Sequence, residues 1–145
     1  MANLLRTLTS LAVAVGITAV AVPATATAAS SPTAYNTWTQ ELTNHPNPGM
    51  PISCVDRTID LREGHYNWGL KMGGSERVMR TDLFLGTDRY GWHDCLVPGD
   101  NVYGHASSLK ARNHPDWPEI TISRSWTLSA AGVRTWGSFL DPLDF

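Results

Sequence analysis

Alternation of apolar and polar residues is the feature that most limits how this chain can fold. In residues 65–72 every second side chain is large and apolar, and the same period of two recurs in residues 120–128. Side chains along a strand point alternately to opposite faces of the sheet, so this period predicts strands with one buried face. Tyr66, Trp68 and Trp126 fall on that face, and we predict them as core residues.

Three further segments, residues 78–85, 90–97 and 133–140, are also predicted as strands, because turn-forming Gly, Pro and Asp residues separate them. The first two follow residues 65–72 directly, which predicts a three-stranded meander. Residues 101–118 show no alternation and are predicted as a loop. Short strands without a long helical pattern indicate an all-β fold, a small antiparallel β-sandwich or barrel.

The N-terminus has the three parts of a secretory signal, which we predict to span residues 1 to about 28. Arg6 precedes an uncharged apolar run, residues 8–22, and small residues then offer cleavage sites after Ala26 or Ala28. The run has about 15 residues, fewer than the roughly 20 that a membrane-spanning helix needs. We therefore expect a secreted protein without a membrane anchor, and the Ala-, Thr- and Val-rich leader favours a bacterial source.

Residues 29–50 are rich in proline and are predicted as an N-terminal arm. Pro32 is typical of the first position of a helix, and Tyr35, Trp38 and Leu42 would then lie on one helical face. A short helix or arm packed on its own domain is the interpretation we favour. The alternative is an arm that inserts its aromatic side chains into another protein.

Both cysteines, Cys54 and Cys95, lie in residues 51–145, which we predict as a single β-rich domain. In an oxidising compartment such a pair predicts a disulfide. A loop of this length should stabilise the fold by roughly 4 kcal/mol in the chain-entropy model. The alternative is a catalytic thiol assisted by His93, two positions before Cys95, which would leave Cys54 unexplained.

The sequence contains no motif that identifies a reaction. It has no nucleophile elbow of the G-x-S-x-G kind, no phosphate-binding glycine loop, and no histidine spacing typical of zinc. The formal net charge is −2 and no basic run is present, which argues against nucleic acid as a partner. No catalytic residue is assigned.

No cofactor is predicted, although one group of residues has the chemistry of a calcium site. Asp94, Asp100 and Asn101 offer the carboxylate and amide oxygens that Ca²⁺ takes as ligands. Asp and Asn are also common turn formers, and that is the interpretation we favour.

The segment from Asp100 to Leu109 resembles the end of a βγ-crystallin Greek-key motif, in which paired Asp and Asn residues precede a Ser-Ser pair, here Ser107-Ser108. Secreted bacterial members of that family include protease inhibitors and killer-toxin-like proteins, so the resemblance implies such a role. Five residues separate Asn101 from Ser107, where the family's calcium motif has two, so no calcium ligands are carried over. In layout, the chain is similar to small adaptor subunits of umbrella-type toxin particles.

Aromatic residues are frequent, with six Trp and four Tyr. Large aromatic side chains dominate protein interfaces as well as cores. The residues that we predict to contact another extracellular protein lie in the arm or near predicted turns: Tyr35, Trp38, Leu42, Trp92, Tyr103 and Trp117. We expect a non-enzymatic binding protein, an inhibitor or a subunit of a toxin-like assembly. The alternatives are a hydrolase of cell-wall or glycan material and a carbohydrate-binding module that uses Trp92 or Trp117.

Overall fold

The computed structural model describes residues 32–143, so the predicted signal peptide lies outside the described part of the chain. Residues 32–143 contain no helix, and none of them forms a segment that could cross a membrane as a helix. The strands are β1 (Ala34–Leu42), β2 (Ser53–Leu61), β3 (Gly64–Met72), β4 (Ser75–Leu85), β5 (Asp88–Pro98), β6 (Tyr103–Ala111), β7 (Ile120–Trp126) and β8 (Gly132–Pro142). The predicted all-β class is confirmed.

The strands form two antiparallel four-stranded sheets that pack as a small β-sandwich. The first sheet has the order β1-β8-β3-β4 and the second has the order β2-β5-β6-β7. The predicted meander is wrong, because the chain leaves the first sheet after β4 and β5 belongs to the second. A meander is formed instead by β5, β6 and β7. The chain therefore crosses between the sheets after β1, β2, β4 and β7.

The core lies between the two sheets and is built around tryptophan. Trp68, Trp92 and Trp136 are almost completely buried, and Tyr66 and Trp126 join the same apolar cluster. Burial of an aromatic side chain removes about 150 to 250 Å² from water, which favours folding by several kcal/mol at about 25 cal/mol per Å². The predicted core positions Tyr66, Trp68 and Trp126 are confirmed.

The helix predicted after Pro32 is wrong, because residues 34–42 form β1. This strand pairs with β8 along its full length, so residues 34–42 of the predicted arm form an edge strand of the first sheet. Gly137 of β8, with φ of +142°, allows the close approach, since a side chain there would collide with the carbonyl oxygen of Asn36. Backbone pairing to β8 has overridden the helix-like spacing of the aromatic residues.

The loop predicted for residues 101–118 is also wrong over half of its length. Tyr103–Ala111 form β6, a central strand of the second sheet. Its inward face carries the polar residues His105 and Ser107 between the apolar residues Tyr103 and Leu109. The strand therefore lacks the apolar alternation by which the others are recognised.

Candidate functional site

Two consecutive residues of β5, His93 and Asp94, face opposite sides of the second sheet. Each of them forms an Asp–His pair with a residue of a neighbouring strand. His93 points outward and its Nδ1 lies 2.5 Å from Oδ1 of Asp56 on β2. Asp94 points into the sandwich, where its Oδ1 accepts a hydrogen bond from Nε2 of His105 at 3.1 Å. Strand alternation thus places one Asp–His pair on the surface and another in the core.

The inner pair is part of a network that we call the buried polar cluster: Asn36, Asp94, His105, Ser107 and Ser138. Oδ2 of Asp94 accepts hydrogen bonds from Nδ2 of Asn36 at 2.5 Å and from Oγ of Ser138 at 2.8 Å. These residues come from β1, β5, β6 and β8, so hydrogen bonds cross the core from sheet to sheet. A buried carboxylate requires this degree of pairing.

The buried polar cluster contains serine, histidine and aspartate, but its geometry does not fit a hydrolase. A nucleophilic serine must be hydrogen-bonded to its histidine base. Here the two serine hydroxyls, Ser107 and Ser138, bond to each other at 2.9 Å, and Ser138 bonds to Asp94. Nδ1 of His105 is buried and has no hydrogen-bond partner among the described residues. We assign the cluster a structural role.

The outer pair lies beside the disulfide, and the predicted bond between Cys54 and Cys95 is confirmed. The two cysteines face each other across β2 and β5, two register positions from Asp56 and His93 and on the same face of the sheet. Nε2 of His93 lies 3.0 Å from Sγ of Cys95. We call Asp56, His93, Cys54 and Cys95 the surface Asp–His–disulfide row.

A shallow depression of about 370 Å³ adjoins this row on the outer face of the second sheet. Lys110 and Arg112 of the β6 side and Glu119 line it together with Asp56 and His93. The guanidinium of Arg112 lies across Gly91, where a Cβ would come within 2.7 Å of it. The depression beside the row therefore carries positive charge from Lys110 and Arg112 and negative charge from Glu119.

A third Asp–His pair anchors the loop between β6 and β7. The carboxylate of Asp88 accepts hydrogen bonds from Nδ1 of His114 at 3.0 Å, Nδ2 of Asn113 at 2.5 Å and the backbone N–H of Arg89 at 2.6 Å. Burial raises the pKa of Asp88, but the hydrogen bonds from His114, Arg89 and Asn113 outweigh it and leave the pKa below its usual value. The ionised carboxylate therefore holds this loop in place.

Trp117 is held rigidly at the end of the same loop. Its ring stacks on His114 at 4.1 Å between centroids, and Nζ of Lys110 donates to its carbonyl oxygen at 2.6 Å. The ring also covers Gly86, where a Cβ would lie 2.5 Å from it. Beside Trp117 is an apolar cavity of about 340 Å³, whose wall includes Tyr90 and Phe84.

The residues predicted to contact a partner divide into two groups. Tyr35 and Trp38 are exposed, by 44% and 53%, and Trp117 is half-buried at the cavity. The prediction is wrong for the three that lie in the core: Leu42, Trp92 and Tyr103. Nε1 of Trp92, for example, donates to Ser107 inside the sandwich. Proximity to a turn in the sequence did not reveal which way these side chains point.

The candidate calcium ligands are not brought together. Asp94 is fully buried and its oxygens accept bonds from the polar cluster, whereas Asp100 and Asn101 are exposed in the turn between β5 and β6. Asn101 has φ of +56°, a conformation that Asn adopts in turns more readily than most residues. The three residues therefore do not form one ligand set.

The edge strand β1 presents an aromatic side chain on each of its two faces. Tyr35 is directly opposite Phe139, on the outer face of the first sheet, and Nζ of Lys71 lies 5.6 Å from the centre of its ring. Trp38 is on the other face, opposite Trp136. A guanidinium nitrogen of Arg57, on β2, donates to the carbonyl oxygen of Tyr35 at the free edge.

An apolar stripe continues from Tyr35 across the outer face of the first sheet. In register order it passes through Phe139 of β8 and Gly69 of β3 to Val78 of β4. The ring of Phe139 lies against Gly69, which has no side chain to displace it. Tyr35 and Val78 are both exposed, so the stripe reaches solvent at its two ends.

Comparisons of the chain with protein-family models, with curated proteins and with solved structures found no match.

Proposed function

We propose that this chain is a secreted, non-enzymatic binding domain that acts through contact with another extracellular protein, as an inhibitor or as a subunit of a toxin-like assembly. The observation that carries the proposal is β1, an edge strand with exposed Tyr35 and Trp38 on its opposite faces. Secretion rests on the N-terminal sequence, residues 1 to about 28.

The side chains on β1 are of the kind that contribute most to protein interfaces. Trp and Tyr are enriched among residues whose truncation weakens binding most, because they bury a large area at small entropic cost. In the described part of the chain, β1 pairs only with β8, so its other edge has no partner strand. Arg57 occupies the carbonyl oxygen of Tyr35 there, and an added strand would have to pair beyond or displace that bond. Exposed Trp38 on such an edge favours a partner that covers both the strand and its side chains.

The strand is also held firmly before any partner binds. Nδ2 of Asn36, between the two aromatic positions, donates to Asp94 in the core and lies 3.3 Å from the carbonyl oxygens of Val55 and Trp92. These bonds tie β1 to the second sheet. A contact surface that is already ordered loses less conformational entropy on binding.

A capture experiment with matched variants tests this proposal. The secreted form of the chain, immobilised and exposed to culture supernatant of its host, should retain a stoichiometric protein partner. Tyr35→Ala and Trp38→Ala should each weaken the affinity at least tenfold, or about 1.4 kcal/mol. Ile52→Ala, a control at an apolar residue that is even more exposed, should bind as the wild type does. Recovery of the wild-type chain alone, or full binding by Trp38→Ala, would contradict the proposal.

The cavity beside Trp117 favours a second function, carbohydrate binding. A fixed tryptophan ring with the exposed ring of neighbouring Phe84 offers aromatic faces, and Glu63 lines the same cavity. Trp92, the other residue considered for this role, is buried and cannot contact a sugar. Binding on a glycan array that disappears with Trp117→Ala and persists with Trp38→Ala would support this function. An array without hits would remove it.

A further inference from the structure

We propose that the Cys54–Cys95 disulfide is an exchange-reactive bond for low-molecular-weight thiols. An external thiolate attacks Sγ of Cys54, and Cys95 leaves as a thiolate that His93 stabilises. This activity is independent of the partner contact proposed for β1, which lies in the other sheet.

Access favours attack at Cys54 over attack at Cys95. Cys54 is exposed and belongs to β2, an edge strand, whereas Cys95 is half-buried in β5, between β2 and β6. In register order the row runs from Cys54 to Cys95 and then to Ala106 of β6. A thiolate must approach along the line of the sulfur–sulfur bond, from the side opposite the leaving sulfur. That side lies beyond the sheet edge for Cys54 and above Ala106 of β6 for Cys95.

The leaving sulfur has a proton donor in place. Nε2 of His93 lies 3.0 Å from Sγ of Cys95, and Nδ1 of the same ring lies 2.5 Å from Oδ1 of Asp56. With Nδ1–H donated to Asp56, a proton on Nε2 makes the ring an imidazolium that can donate to sulfur. A leaving thiolate that is stabilised in this way departs faster.

The exchange balances as a thiol–disulfide substitution. The external thiolate forms a new sulfur–sulfur bond with Cys54, the Cys54–Cys95 bond breaks, and its electron pair goes to Sγ of Cys95. The imidazolium of His93 then donates its Nε2 proton to that sulfur. A second equivalent of external thiolate displaces the first from Cys54. This gives one oxidised external disulfide and a Cys54 thiolate, which takes a proton from water, as does the His93 ring.

The role of His93 is tested by the rate at which glutathione reduces the Cys54–Cys95 disulfide. The rate constant is calculated per glutathione thiolate and is measured at several pH values. The wild-type rate constant should increase as the pH is lowered, because only a protonated His93 ring can donate to the leaving sulfur. His93→Gln should show no rise and should react about five to ten times more slowly at the lower pH. Asp56→Asn should weaken the rise, because Asp56 positions the ring. His45→Gln, a control at another exposed histidine, should match the wild type.

Equal rates and equal pH profiles for the wild type and His93→Gln would overturn the proposal. A second measurement keeps the site of attack separate from the role of histidine. Rapid alkylation after the first exchange, followed by peptide mass spectrometry, should find glutathione on Cys54 and the alkyl group on Cys95. Glutathione mainly on Cys95 would contradict the proposed direction. So would a reduction rate that is independent of glutathione concentration, since reduction would then wait for unfolding.

Discussion

The two Asp–His pairs formed by the consecutive residues His93 and Asp94 of β5 have the same chemistry and opposite surroundings. Asp94 and His105 have no exposed side-chain surface, whereas the side chains of Asp56 and His93 are 77% and 49% exposed. Water screens the outer pair, so its contribution to stability is expected to be small. The inner pair has lost its hydration, and each of its members depends on the other for compensation.

This difference shows how a single strand can serve both structure and surface chemistry. Because consecutive side chains alternate, Asp94 can be fixed inside the sandwich while His93, its neighbour, remains accessible beside the disulfide. Asp88 and His114 form an intermediate case, with a buried carboxylate and a 45% exposed imidazole. The three pairs therefore form a series. The more deeply a pair is buried, the more the free energy of unfolding should fall when one of its members is substituted.

The largest effect is expected for His105→Ala. It leaves the carboxylate of Asp94 without one of its donors and opens space beside Trp136, whose ring centre lies 5.5 Å from that of His105. We expect a loss of about 3 to 5 kcal/mol in the free energy of unfolding, measured by urea denaturation with the disulfide intact. His45→Ala, at an exposed histidine, should change it by less than about 0.5 kcal/mol. Similar losses for the two variants would show that the buried cluster is not a structural element.

A smaller loss is expected for Asn36→Ala. The substitution removes the 2.5 Å hydrogen bond through which β1 donates to Asp94 in the buried polar cluster. We expect a loss of about 2 kcal/mol and faster amide hydrogen exchange along β1. Gln40→Ala, a half-buried position on the same strand, is the control and should leave both measurements nearly unchanged. An unchanged exchange rate in Asn36→Ala would mean that pairing to β8 alone fixes the strand.

For Asp88 the expected effect appears as pH dependence. Its pKa in the folded protein is lowered from the usual 3.8, so its contribution to stability is complete above that pH and is lost as the pH falls below it. Asp88→Asn should therefore lose less stability than the wild type when unfolding is compared between about pH 5 and pH 2. Asp116→Asn, on the same loop and exposed, should follow the wild-type curve. A curve for Asp88→Asn that is parallel to the wild type would contradict this assignment.

The sequence predicts the fold best where apolar alternation is unbroken. The strands β3 and β7 are recognised because Trp68 and Trp126 alternate with polar residues, and the disulfide follows from the expected export of the chain. The strands β1 and β6 were predicted as a helix and a loop, and both contribute to the buried polar cluster. Asn36 and His105 interrupt the apolar faces of these strands, so the network that joins the two sheets also conceals the pattern.

The candidate site is less predictable than the fold, because it depends on pairing between strands. Cys54 and Cys95 could be paired from their number, but only the register of β2 against β5 places Asp56 next to His93. Similarly, Trp92 is next to a predicted turn in the sequence, yet it faces inward in β5. The sequence signal for the two Asp–His pairs is the adjacent His93-Asp94 in an alternating strand.

One comparison of two matched variants tests most directly whether the inner residue of β5, Asp94, is structural while the outer one, His93, belongs to a surface pair. Asp94→Asn and Asp56→Asn make the same substitution with nearly the same shape, and urea unfolding at neutral pH measures the loss in the free energy of unfolding for each. Asp94→Asn should lower the free energy of unfolding by about 3 kcal/mol, and Asp56→Asn by less than about 1 kcal/mol. Equal costs, or a larger cost for Asp56→Asn, would contradict the conclusion that burial sets the cost of losing a partner.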